Sequence, residues 1–374
     1  MTRMPAEVAS PGEHIREELE ERGWTQSDLA TILGRPLSAI NQIINAKKSI
    51  TPDTARELGE AFGTSAELWL NLESSFRLAQ ASDPAGNVRA RAKLFEQAPV
   101  SEMQRRGWIA RTSQVGDIRN ELLRFYGVSD EVELEQFRQR VAARKGDANQ
   151  PLSAAQCAWL RRIQQLSTSV QADAFSKRAV KDGLPELKAV AATPEEIHKT
   201  PAILARMGIR LVVVEHLSKT KVDGIAFWLS SKKPVIGLSL RYDRIDYFWF
   251  TLFHELGHIY LGHVDPPLDD DIQASAADIE REDIEREADR FAASMLIPAD
   301  QIESFILRKT PLFSKKSIIQ FANRIHVHPG VVVGQLQHRG AIGYSHSREM
   351  LVKVRSNLIG STLTDGWGQE LPAF

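Results

Sequence analysis

A chain of 374 residues is too long for one ordinary core and suits two or three domains of roughly 100 to 200 residues each. With 43% apolar residues and a formal net charge of -1, it is neither a disordered chain nor a strongly basic nucleic-acid coat. Cys157 is the single cysteine, so an intrachain disulfide is excluded and a metal site must rely on histidine and carboxylate ligands. No apolar run approaches a membrane span and the amino terminus lacks an export-signal pattern, so a cytoplasmic protein with no membrane partner is expected.

From Pro11 to about Leu72 the sequence reads as short helices broken at Gly23, Gly34-Arg35-Pro36, Ala46-Lys47-Lys48 and Gly63-Thr64-Ser65. That pattern predicts a five-helix domain over residues 1–78. Thr25 is placed to cap a short amphipathic helix that stops at Gly34. After a tight turn, Pro36 to Asn45 forms a second helix whose inward stripe is Leu37, Ile40, Ile43 and Ile44. Ser38, Asn41, Gln42 and Asn45 then face outward, where amides can pair with adenine in a major groove. Arg35, Lys47 and Lys48 flank this helix where phosphates would pass, and Gln26 is a candidate backbone contact. The acidic first helix, Glu13 to Glu21, favours instead a helical interaction or dimerisation module; yet a DNA reader needs positive charge only where it meets phosphate.

A Ser-Asp-Pro-Ala-Gly hinge lies within Gln80–Asn87, followed by a basic segment containing Arg89, Arg91, Lys93, Arg105, Arg106 and Arg111. Residues 79–182 are expected to form a helical linker or support region, broken at Lys145–Pro151. The pattern then changes. Ile209–Glu215 is a β-branched strand candidate, and Gly224–Leu229 and Pro234–Leu240 flank a Ser-Ser-Lys-Lys turn as an antiparallel hairpin. Helical periodicity returns from Asp243 to about Gln337, giving a domain over residues 183–340 with a small antiparallel sheet. Residues 341–374 read as a mixed extension without a clear pattern.

Within the helical part stands His254-Glu255-Leu256-Gly257-His258. Four residues apart on a helix, both imidazoles project from one face and can hold a single Zn²⁺, while Glu255 accepts the proton of the attacking water. A third ligand is required. His263 points about 140° away around a continuing helix and fits poorly; Glu285, on a second helix closed by Pro298, fits better. Asp289, one turn on, can accept a hydrogen bond from the outer nitrogen of a ligating histidine. The alternative, a buried helix with merely hydrogen-bonded histidines, loses ground because the motif sits on the aromatic run Tyr247–Phe253 and a Glu-x-x-x-Asp helix follows. Asp265-Pro-Pro267 and the acidic loop beyond it are placed to cover such a cleft, and the Pro234–Leu240 strand is a candidate to pair with an extended substrate.

Thr251 to His263, the Glu-x-x-Ala-Asp-x-Phe-Ala stretch and its Leu-Ile-Pro close resemble the ImmA/IrrE metallopeptidases over roughly residues 208–338. The resemblance implies a zincin-like α+β domain, with His254, His258 and Glu285 as zinc ligands and Glu255 as catalytic acid/base. It further implies cleavage of a regulatory protein: a repressor, a toxin or the chain itself. The first domain, through Gly34-Arg-Pro, Asn45–Pro52 and Phe62–Leu72, resembles the HigA branch of Xre-type helix-turn-helix domains. That likeness implies a homodimer on operator double-stranded DNA and an RNase toxin as a partner. The fold expected is therefore multidomain and mainly α, and the function that of a regulator with a zinc endopeptidase. The competing reading is an antitoxin-like repressor whose metal domain senses or binds a partner without hydrolysis.

Overall fold

The computed structural model describes residues 8–81, 86–145, 152–263 and 278–367. The expected hinge residues 82–85, the break at 146–151 and the cleft-covering Asp265–Pro267 lie outside them. Two compact units divide the chain, residues 1–90 and 91–374.

The first unit holds α1 (Pro11–Arg22), α2 (Gln26–Ile32), α3 (Leu37–Ile44), α4 (Pro52–Phe62) and α5 (Ala66–Gln80). Capping side chains mark most of the helix starts. Ser10, Thr25, Thr51 and Ser65 each accept a hydrogen bond from the third backbone amide of the helix they open, and Gly23 and Gly63 close α1 and α4 in the left-handed conformation. The buried core gathers Ile15 and Leu19 from α1, Leu29 from α2, Ile40, Ile43 and Ile44 from α3, Leu58 and Phe62 from α4, and Trp69 from α5. Trp69 is buried complete with its polar edge, because its Nε1 donates to Thr64 Oγ1 at 2.8 Å. Leu37, expected on the inward stripe of α3, is 42% exposed. It stands at the first helical position, where the chain has only begun to turn toward the core.

The boundary between units falls in α6 (Asn87–Gln97). Then come α7 (Val100–Arg105), α8 (Val115–Tyr126), α9 (Glu131–Lys145), α10 (Ala154–Ser167), α11 (Lys177–Val190) and α12 (Thr200–Arg206). Three strands follow, β1 (Arg210–Val214), β2 (Gly224–Trp228) and β3 (Pro234–Leu238), then α13 (Ile245–Leu261) and α14 (Asp278–Leu296). Helices α15 (Ala299–Lys309), α16 (Lys315–Ile325), α17 (Pro329–His338) and α18 (Arg355–Ile359) lead to β4 (Leu363–Asp365). Among the described residues no helix is long and apolar enough to cross a membrane.

The sheet runs β2-β3-β1-β4 and is mixed, which corrects the antiparallel expectation: β1 is parallel to both β3 and β4, and only β2 and β3 pair as a hairpin. All five residues of β1 are buried because both faces are covered. Leu211 and Val213 enter a core shared with α12, α13 and α17, while Val212 and Val214 pack with Trp159, Ile163 and Leu166 of α10. Of the region expected as a helical linker or support, the part from Arg91 on belongs to the second unit, where α10 covers one face of the sheet.

The patternless extension supplies β4, whose Asp365 is 3% exposed. Its Oδ2 accepts from Trp108 Nε1 at 2.8 Å and from Arg162 Nε at 2.5 Å, tying α10 and the segment after α7 to the last strand.

Candidate metal centre and DNA-reading helix

Helix α13 is apolar on nearly every side and is correspondingly buried, from Ile245 through Phe248, Trp249, Leu252, Phe253 and Leu256 to Ile259. Its polar members therefore face a place built for them. Gly257 decides how close α14 comes. A Cβ there would sit 3.1 Å from Phe291 and 3.4 Å from the Ala288 backbone, so a larger residue would press on Phe291 and glycine eases the close approach of the two helices. That approach carries Glu285 and Asp289 to the histidines.

His254 Nε2 and His258 Nε2 lie 3.0 Å apart. Glu285 Oε2 stands 3.2 Å from the first and 3.7 Å from the second. Ligand atoms about 2.0 to 2.1 Å from a tetrahedral ion are about 3.3 Å from one another, and the three separations straddle that value. Two imidazole nitrogens facing each other beside a carboxylate form a donor set that suits zinc. On the outer side, His254 Nδ1 bonds Asp289 Oδ1 at 2.9 Å, which leaves Nε2 with its lone pair directed at the cluster. Phe250 stacks on the His254 ring at 6.3 Å between centroids.

The electrostatics agree with the geometry. Burial opposes a charge on His254, but its hydrogen bonds to Asp289 and Glu285, with the nearby Glu255 and Glu285 charges, outweigh it and push its pKa up to about 10. The hydrogen bonds from His254 and then His258 hold the Glu285 carboxyl well below the usual carboxylate range. Without a metal, the site thus draws in a positive charge as a proton.

Glu255 is buried at 7% exposure. A Cβ on Gly224 would come 2.7 Å from Glu255 Oε1, so the start of β2 lies directly against this carboxylate. The sequence reading missed Gly224, as it missed Phe250; only the nonlocal packing of β2 on α13 reveals it. His263 does not sit on a continuing helix. Gly262 ends α13 in the left-handed conformation, and His263 Nε2 instead meets Glu287 Oε2 at 3.0 Å.

At the other end, α2 and α3 are joined through Gly34, with the Arg35 amide donating to the Ala30 carbonyl at 2.9 Å. Ser38, Gln42, Lys47 and Lys48 are exposed, Asn41 and Gln26 half-buried. Two candidates are already engaged inside the domain. Arg35 makes a two-pronged ion pair with Glu57, at 2.5 and 3.1 Å. Asn45 donates to the Asn41 carbonyl at 2.8 Å and accepts from Arg16 at 3.2 Å. Both serve α3's attachment to its neighbours.

Two domain classes are thereby defined: a helix-turn-helix module and a zincin-type α+β domain. Comparison with known proteins agrees. Residues 15–69 match the helix-turn-helix family model and residues 205–337 the model of the IrrE N-terminal-like domain. Virulence-associated protein I of Dichelobacter nodosus is 40% identical over 86 residues, 23% of this chain and 78% of that protein. The HTH-type transcriptional regulator YddM of Escherichia coli is 30% identical over 81 residues, covering 22% of this chain and 86% of the relative. A solved Pseudomonas aeruginosa antitoxin HigA with higBA promoter is 32% identical, covers 25% of this chain and 98% of that one, and has a TM-score of 0.20. The chain belongs to the Xre-like helix-turn-helix family and joins that domain to an IrrE-like peptidase domain.

Proposed function

We propose that the protein is a cytoplasmic transcriptional regulator that binds operator DNA as a homodimer through α2 and α3, and whose second unit is a zinc endopeptidase acting on a regulatory protein. The observation that carries the enzymatic half is the convergence of His254, His258 and Glu285 beside a buried Glu255. Zinc held by those three residues supplies a Lewis acid that polarises a peptide carbonyl and acidifies water. Glu255 takes up the proton of the attacking water and returns it to the departing amine. Asp289 fixes the His254 tautomer.

An extended substrate needs a rail. The strand suggested by the sequence, Pro234–Leu240, is not available, since β3 lies between β2 and β1. Of the sheet's two edge strands, β2 and β4, it is β2 that lies against Glu255. Leu229 N donates to Lys233 O and Ser239 N to Asp223 O, so by alternation Gly224 and Ala226 direct their backbone groups away from β3. A peptide added there would start beside Glu255.

The first unit's match to helix-turn-helix regulators supports DNA binding, and its sequence resemblance to the HigA branch makes an RNase toxin a candidate partner or substrate alongside a repressor or the chain itself. The deciding experiment incubates the zinc-loaded full-length protein, and its Glu255→Gln variant, with the products of neighbouring genes. Cleavage by the wild type alone is expected. Zinc binding by both with cleavage by neither would reduce the second unit to a sensor or partner-binding module.

A further inference from the structure

A cavity of about 790 Å³ in the second unit lies at the far end of β2 from Glu255. Phe227 and Leu229 line it from one face of the strand and Trp228 from the other, so it wraps the edge of β2 itself. Arg161, Arg162, Gln164 and Gln165 of α10 supply its polar side, and among the described residues no acidic one lines it. The two guanidinium groups differ. Arg162 is neutralised by Asp365 and also donates to Gln165 at 3.1 Å. Arg161 is half-buried and gives its Nε proton to the Phe125 carbonyl at 3.1 Å; among the described residues no carboxylate pairs with it. Burial pulls its pKa down.

We propose that this cavity is a distal specificity pocket for an acidic side chain of the substrate, bound by Arg161, and that the pleat of β2 fixes its spacing from the cleaved bond. The proposal rests on the peptidase reading above. Along β2, Gly224 faces α13 and Glu255, as do Ala226 and Trp228, which pack with the α13 core; Ile225, Phe227 and Leu229 face α10. A strand laid along β2 shares that alternation, because residues opposite each other point to one face. Measured from the residue opposite Gly224, those opposite Phe227 and Leu229 are three and five positions on, about 10 and 17 Å at ~3.3 Å per residue. The acid belongs at one of these odd spacings, since a residue two or four positions on points to the α13 face.

Peptide hydroxamates test this, because their metal-binding end fixes the register. Two series are needed, one with the hydroxamate at the carboxyl end and one at the amino end, each carrying a single Glu or Gln walked along a Val/Thr background. Binding to the zinc-loaded full-length Glu255→Gln protein is read by fluorescence anisotropy, so turnover is not required. In one series, with positions counted from the residue opposite Gly224 as zero, Glu is expected to bind about tenfold more tightly than Gln three or five positions on and equally two or four positions on. Arg161→Gln should erase the difference and Arg161→Lys retain most of it. Equal binding of Glu and Gln peptides throughout, or a preference that survives Arg161→Gln, overturns the pocket alone. Failure of every hydroxamate to bind overturns the peptidase reading and the pocket with it.

Discussion

Replacing Asp289 by asparagine removes one charge from behind His254 while keeping an oxygen within reach of Nδ1. The aspartate sits 2.9 Å from that nitrogen, and its acceptor oxygen holds the proton on Nδ1 so that Nε2 faces the metal position. An asparagine can turn its NH₂ group inward, which favours the opposite tautomer, and even with its oxygen inward it lacks the carboxylate's pull on the ring. Losing such a partner costs about 10- to 100-fold in metal affinity. Its side chain is 50% exposed, so solvent screens much of the charge and the effect should fall at the low end: about tenfold, or about 1.4 kcal/mol. Glu285→Gln, which removes a ligand instead of its support, should cost more, and Glu255→Gln should leave affinity near wild type.

Competition between the full-length variants and a chromophoric chelator for zinc measures all three. The order expected is Glu285→Gln weakest, then Asp289→Asn, then Glu255→Gln. An Asp289→Asn protein that binds zinc as the wild type does would refute the assigned role of the carboxylate. Equal losses for Glu255→Gln and Glu285→Gln would refute the division between base and ligand.

Gly224→Ala should cut peptide hydrolysis at least about tenfold with zinc affinity unchanged, since the added methyl group displaces Glu255 and not the ligands; unaltered hydrolysis in a steady-state assay would contradict the contact. Asp365→Ala strands Arg162 in the interior and should cost about 3 to 5 kcal/mol in urea denaturation, with a loss under 1 kcal/mol as the opposing result. His254 has a folded pKa near 10 against about 6.5 when unfolded, so its contribution to the metal-free protein is fully present below about pH 6.5 and lost as pH rises toward 10. Melting curves of metal-free protein should show that decline, zinc should flatten it, and stability constant across the window would exclude it. On a duplex selected from random DNA, Asn41→Ala should weaken specific binding more than nonspecific binding, whereas Lys47→Ala should weaken both and lower the salt slope; equal losses for Asn41→Ala would mean that α3 is not the reading helix.

How far these side chains could be placed from sequence follows from the range of the forces involved. His254 and His258 were legible because helix geometry alone puts them on one face, and the ligand-bearing helix was legible because chemistry demanded a third donor. What only the fold supplies is the reason Glu285 arrives: Gly257 admits α14 to van der Waals distance, a fact about two helices instead of one. The same limit governs which side chains already have partners inside the fold. Arg35 and Asn45 look free beside a polar helix until Glu57 and Arg16, distant in sequence, claim them. The hairpin's two strands look alike as sequence, yet parallel pairing of β3 with β1 puts β3 inside the sheet and leaves β2 as the edge beside Glu255, where the proposed substrate rail lies. That exchange has a functional consequence. With β3 interior, Glu255 and the Arg161 cavity lie along one strand, on opposite faces, so a single extended segment can engage both. The distance between cleavage and recognition is then set by backbone pleat, and a shift of one residue in β2 would reverse which substrate side chains the two faces read.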